Sequence, residues 1–170
     1  MAETVILALG SNLGDRFEHL QAAIRSLDEF MVIHDVSSIY ETPPFEMKAE
    51  QDFLNLCLRG ETELEPHYLL KECKRIEAEK GRFKDPSKRG YQSRPIDIDI
   101  VFYGDLIITT DDLIIPHPEL IKRNFVLTPL NEIAPDYIHP MLKKPTSALL
   151  TELADESKIE RFAKQIHRNK

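Results

Sequence analysis

Ile96-Asp97-Ile98-Asp99-Ile100-Val101-Phe102 has the clearest strand pattern in the chain. Period-two alternation puts Ile96, Ile98, Ile100 and Phe102 on one face and Asp97 and Asp99 on the other. The surrounding sequence supplies the elements that such a strand would join. Upstream, residues 82–95 are basic and polar, with Arg82, Lys84, Lys88, Arg89 and Arg94. Before them, Pro66 marks a helix start, Leu69, Leu70, Cys73 and Ile76 a buried helical face, and Gly81 its end. Downstream, Gly104-Asp105 turns the chain, and Leu106-Ile107-Ile108 reads as a short strand folding back as a hairpin.

Toward the N-terminus, Phe53-Leu54-Asn55-Leu56-Cys57-Leu58 opens a strand running to Leu64, and residues 31–40 form another. Between them, Glu41-Thr42-Pro43-Pro44 ends the earlier strand because proline removes backbone donors. The connection is longer than a hairpin needs, as functional loops often are. Residues 4–9 are a buried-strand run that stops at Gly10-Ser11-Asn12. A helix over about 16–30 follows, with Phe17, Leu20, Ile24 and Leu27 at spacings of three and four. Short helices are expected near 119–133 and 146–153. The order β-α-β-β-α-β predicts an α+β, ferredoxin-like sandwich: a mostly antiparallel sheet, helices packed on one face, and additional short C-terminal helices. The expected domain is 1–157, with 158–170 a polar C-terminal tail that frays.

A chain of 170 residues with 42% hydrophobic and 30% charged residues suits one globular domain with a real core. Its net charge of −7 argues against a nucleic-acid-binding protein. No apolar stretch reaches the ~20 residues of a membrane span. The start, Met1-Ala2-Glu3-Thr4, lacks the features of a signal peptide, so the expected location is cytoplasmic. Cys57 and Cys73 are too few for a disulfide framework and read as reduced core thiols.

The two aspartates have Cα atoms roughly 6.6 Å apart at about 3.3 Å of rise per residue. They are either solvated side chains on an exposed face or a metal-binding pair. Two divalent cations about 3.5–4 Å apart would relieve their repulsion and clamp a phosphate. Arg82 and Arg94 bracket the polar loop leading into Asp97 and are either solvated or forks for phosphate oxygens. His117, between Pro116 and Pro118, is either a turn residue or a phosphate donor, with Arg123-Asn124-Phe125 close behind. Gly10-Ser11-Asn12-Leu13-Gly14 lacks the spacing and lysine of a Walker A loop and reads as a turn.

Seven segments in order resemble the 6-hydroxymethyl-7,8-dihydropterin pyrophosphokinase family: residues 9–14, Ser38-Ile39-Tyr40-Glu41-Thr42-Pro43-Pro44, Asp52-Phe53-Leu54-Asn55, Arg75-Ile76-Glu77 with Gly81-Arg82, residues 94–100, Pro116-His117-Pro118, and residues 123–127 with Pro129-Leu130. The resemblance implies transfer of diphosphate from ATP to the hydroxymethyl group of the reduced pterin, releasing AMP, in folate biosynthesis. It implies that Asp97 and Asp99 hold two magnesium ions that bind with ATP. Arg82, Arg94 and His117 would be catalytic. Glu77, Ile100, Leu113, His117 and Arg123 would contact ATP. Thr42, Phe45, Phe53, Asn55 and Phe125 would bind the pterin, the phenylalanines by stacking and the amide by hydrogen bonding. The expected state is a monomer without nucleic-acid or membrane partners. Gln92-Ser93, Pro118 and Lys84 depart from the family pattern, and Tyr91 stands where a loop aromatic often lies. The rival readings are a metal-dependent phosphoryl transferase acting on another alcohol and a non-catalytic nucleotide-binding module.

Overall fold

The computed structural model describes residues 1–42, 51–81, 95–154 and 159–168. Its centre is β1 (Glu3–Ser11), whose last seven residues are all buried. Antiparallel β4 (Phe53–Thr62) lies on one side of it and antiparallel β5 (Asp97–Tyr103) on the other. The far side of β4 carries β2 (Val32–Val36) and then β3 (Tyr40–Thr42). The predicted strand over 31–40 is thus two strands, with Ile33/Asp35 marking a register shift in the first.

Helix α1 (Arg16–Leu27) is capped by the Asp15 carboxylate, which accepts from the Glu18 N–H at 3.1 Å. It ends three residues before the expected Phe30, where the N–H groups of Phe30 and Met31 both turn back to the Leu27 carbonyl. Helix α2 (Pro66–Glu79) has proline in its first turn and stops at Gly81, whose φ of 87° is open to glycine. Leu20, Ile24 and Leu27 of α1 and Leu69, Cys73 and Ile76 of α2 pack on one sheet face.

Helices also cover the other face, which corrects the one-sided arrangement expected from sequence. A 3-10 turn (Leu120–Lys122) and α3 (Asn124–Ile133) supply Leu120, Ile121, Val126, Leu127 and Leu130 to a second core against Ile6, Ala8 and Cys57, and α4 (Thr146–Glu152) packs Leu149 and Leu150 against it. The apolar side chains of β5 serve both cores. Ile6 pairs with Phe102 but Leu7 pairs with Ile100, so Val101 is a bulge residue. Ile96, Ile98 and Ile100 join the first core, whereas Val101 and Phe102 join the second. Strict alternation had placed Phe102 with the isoleucines; the inserted residue reverses its face.

Two further expectations change. Residues 106–108 do not form a hairpin with β5. Instead β6 (Ile108–Thr109) pairs with β7 (Ile114–Ile115) as a separate two-stranded sheet. The polar C-terminal segment is docked: β8 (Glu160–Arg161) pairs with β3, and Phe162 packs against the first core. Both cysteines are free and buried, and burial pushes the Cys73 thiol up to about 12. Among the described residues, no helix is long and apolar enough to cross a membrane.

Candidate active site

The sheet face under α3 is polar toward one end. Partners across an antiparallel ladder share a face, so the register places Asp97 beside Gly10, Gly10 beside Asn55, and Asn55 beside Tyr40. Asp99 lies beside Ala8. The small residues at positions 8 and 10 leave space above the sheet. A Cβ on Gly10 would come within 3.0 Å of Asn55 Oδ1 and 3.6 Å of the Phe53 ring.

A cavity of about 430 Å³ occupies this space and continues round the edge of β5. One end is lined by Thr42, Phe53, Asn55 and Phe125. There the Asn55 amide donates from Nδ2 to Thr42 Oγ1 at 3.0 Å, and both residues are buried. That bond sets the amide orientation before any ligand arrives. The middle contains Asp97 and Asp99, both half-buried. The other end contains Leu70, Lys74, Glu77, Ile98, Ile100, Leu113, His117 and Arg123.

Glu77 comes from α2, on the opposite side of the sheet. Its carboxylate accepts the Ile98 N–H at 2.7 Å. The edge of a sheet leaves such donors unpaired, so Glu77 stabilises β5 where the cavity bends around it. The sequence therefore puts the two aspartates on the open face and braces the same strand from its edge.

His117 is held by its own N–H, which donates to the Val101 carbonyl at 3.1 Å. Its Nδ1 accepts from the N–H groups of Glu119 and Leu120, each at 3.3 Å. The proton of the neutral ring is then on Nε2, which is a donor. Burial and the nearby Arg123 cation lower its pKa from the usual histidine value, against the opposing pull of Asp97 and Glu119. Arg123 precedes α3, with its guanidinium 5.7 Å from the Phe125 ring and 4.0 Å from a Glu119 oxygen.

The cavity thus brings together Thr42, Phe53, Asn55, Glu77, Asp97, Asp99, Ile100, Leu113, His117, Arg123 and Phe125, every described residue assigned a site role from sequence. Phe45, Arg82 and Arg94 lie outside the described residues. Sequence reasoning missed Leu70, Lys74, Asp111 and Asp112 in the wall. Leu70, Lys74 and Glu77 recur at helical spacing, a signal that one cavity-facing residue could have extended to the other two.

No group of three or more His, Cys, Asp or Glu side chains among the described residues could hold a metal ion alone. A carboxylate pair in an open cavity instead fits magnesium, which keeps waters and takes ligands from substrate phosphates. The donor set therefore suits a metal delivered with a polyphosphate.

Residues 6–135 match the model of the 7,8-dihydro-6-hydroxymethylpterin-pyrophosphokinase (HPPK) family. The chain is 43% identical over 159 residues to the 2-amino-4-hydroxy-6-hydroxymethyldihydropteridine pyrophosphokinase of Aquifex aeolicus, covering 94% of this chain and 95% of that one. It is 39% identical to the protein of the same name from Haemophilus influenzae, covering 90% of this chain and 92% of that one. It is also 42% identical to a folic acid synthesis protein of Dictyostelium discoideum, covering 91% of this chain but only 23% of the longer protein. Among solved structures, Plasmodium falciparum HPPK-DHPS shares the fold: TM-score 0.70 at 18% identity, over 89% of this chain and 45% of that one. With most of its length matched to the family model and two relatives of nearly equal length, the chain belongs to the HPPK family.

Proposed function

We propose that this protein transfers diphosphate from ATP to the hydroxymethyl group of 6-hydroxymethyl-7,8-dihydropterin, releasing AMP, in folate biosynthesis. The observation that carries this reading is the cavity with unlike ends and an acidic middle. Aromatic residues and an oriented amide at one end suit a flat heterocycle, whereas Glu77, His117, Arg123 and apolar residues at the other suit a nucleotide. The pterin hydroxyl oxygen bonds to the β-phosphorus, and the bond from that phosphorus to the α,β-bridging oxygen breaks. AMP leaves with the electron pair, and the hydroxyl proton passes to solvent.

Asp97 and Asp99 would hold two magnesium ions, which neutralise polyphosphate charge when bound. His117 donates from Nε2 to a phosphate oxygen, and its lowered pKa keeps that role constant near neutral pH. Arg123 adds a fixed positive charge. Glu77 acts through the backbone of β5, holding the aspartates at their positions. Arg82 and Arg94, assigned by family resemblance, would stabilise charge on the transferring group. Phe45 would add a pterin contact on the same basis. Catalysis is then mostly positioning and charge stabilisation, with no general base required. We place the enzyme in the cytoplasm as a monomer; its two free, buried thiols suit a reducing compartment.

The primary test measures AMP formation from ATP, magnesium and the pterin. Asn55→Ala should weaken pterin binding by about 1–3 kcal/mol and leave binding of an ATP analogue unchanged. Calorimetric titration with each ligand separates the two ends of the cavity. Unchanged pterin affinity would move the pterin site elsewhere, and equal losses for both ligands would mean general unfolding.

A further inference from the structure

Arg16 is the first residue of α1, where a positive charge opposes the helix dipole. A residue that is locally unfavourable is a place to look for a tertiary purpose. Its Nη1 donates to Glu41 Oε2 at 2.6 Å and to the Asp52 carbonyl at 2.8 Å. Glu41 belongs to β3, and Asp52 immediately precedes β4. One guanidinium therefore ties together the two chain segments on either side of residues 43–50.

The tie sits beside the ladder that joins these two segments. Among the described residues, β3 pairs with β4 at Tyr40 with Asn55, Glu41 with Leu54, and Thr42 with Phe53. The guanidinium adds a side-chain hold to that backbone ladder. Its last pair contains two cavity residues, Thr42 and Phe53, and its first contains Asn55. Alternation turns Glu41 to the α1 side, opposite Thr42. Arg16 thus grips the ladder from the back of the sheet while Thr42, Phe53 and Asn55 face the cavity in front. The Phe162 ring lies 5.9 Å from the Arg16 guanidinium, and its N–H donates to the Ile39 carbonyl at 2.7 Å. The docked C-terminal segment holds the arginine in place in turn.

We infer that Arg16, outside the cavity, is a positioning residue for the acceptor end of the site. It fixes Thr42 and Phe53 relative to Asn55 and so sets affinity for the flat acceptor without touching it. This rests on the assignment of that end to the pterin. The nucleotide end has an independent scaffold in α2, β5 and residues 113–123 and does not depend on the tie.

The experiment titrates wild type, Arg16→Ala, Arg16→Lys, Glu41→Ala and the Arg16→Ala/Glu41→Ala double variant with the pterin and, separately, with a non-hydrolysable ATP analogue plus magnesium. Arg16→Ala should raise the pterin Kd about tenfold, with the analogue Kd unchanged. Arg16→Lys should recover most of the loss, because an ammonium can donate to both oxygens. Glu41→Ala should reproduce part of the loss, and the double variant should be no worse than Arg16→Ala, since both act through one tie. Equal losses for the two ligands, an unchanged pterin Kd in Arg16→Ala, or no recovery with lysine would overturn the inference. Asn55→Ala run alongside separates the two claims. If it loses the pterin while Arg16→Ala does not, only the positioning role fails; if neither loses it, the site assignment falls as well.

Discussion

Asp97 and Asp99 are set apart by what surrounds them. Their neighbours across the sheet are Gly10 and Ala8, so nothing bulky shields the two carboxylates from the cavity. Replacing either with alanine removes a proposed metal ligand but no core packing. Turnover should fall on the order of 10³-fold while circular dichroism and the melting temperature hold. Near-normal rates at saturating magnesium would refute the metal role. Gly10 permits a sharper test. An added Cβ would stand 3.0 Å from Asn55 Oδ1, closer than most such contacts, so the amide must shift. Gly10→Ala should therefore weaken the pterin by roughly 1–2 kcal/mol, a lost or bent hydrogen bond. The nucleotide should bind as before. Separate titrations with the two ligands check this, and a larger loss for ATP would put the steric effect at the wrong end.

Among the elements, β4 shows how tightly β2 is packed on it at the end away from the site. At Gly60 a Cβ would lie 2.4 Å from the Val32 carbonyl oxygen and 2.8 Å from Met31 Cε. The backbone oxygen cannot step aside without moving β2. Gly60→Ala should cost about 1–3 kcal/mol. For a chain of this size that lowers Tm by about 2–4 °C per kcal/mol, readable by calorimetry. An unchanged Tm would mean that β2 is free to shift. The strands also show what could be read in advance. Period-two alternation in 96–100 correctly set Asp97 and Asp99 apart from the isoleucines, because it depends only on local geometry. It failed at Phe102 because the bulge at Val101 arises from pairing with β1, which strand periodicity does not encode. Ile108 and Ile115 found each other, not β5, since a two-residue strand carries no partner information. The docking of 160–168 was unreadable for another reason. It rests on single contacts, such as the Arg168 guanidinium donating to the Ile33 carbonyl at 2.6 Å, rather than on an apolar run. In the site, the named motif residues were legible, but Lys74, Asp111 and Asp112 enter only because the cavity turns round the β5 edge.

Across the whole molecule, two histidines tie stability to pH. His117 and His139 are each followed by proline, and in each the ring Nδ1 accepts from two backbone N–H groups just downstream. For His139 these are Met141 and Leu142, at 3.1 and 3.0 Å, and its ring meets Phe102 edge-on in the second core. Its Nε2 is buried without a partner. Burial lowers the pKa of both rings from 6.5, and for His117 the Arg123 cation adds to the effect. Protonating Nδ1 would also cost both of its accepted hydrogen bonds. The unfolded chain, with ordinary histidines, takes up these protons near pH 6.5, whereas the folded protein resists until lower pH. Between those points the unfolded state binds more protons, so stability falls as pH drops. Above about pH 6.5 both states are neutral at these positions, and this contribution is fully present. Urea unfolding from pH 8 to pH 5 should give a plateau above 6.5 and a decline below it. In His139→Asn, an amide oxygen can accept the same two N–H groups without titrating. The variant should decline less steeply over that window, whatever its absolute stability. An unchanged slope in the variant would remove His139 from the acid response, and stability rising on acidification would reverse the proposed sign for the pair.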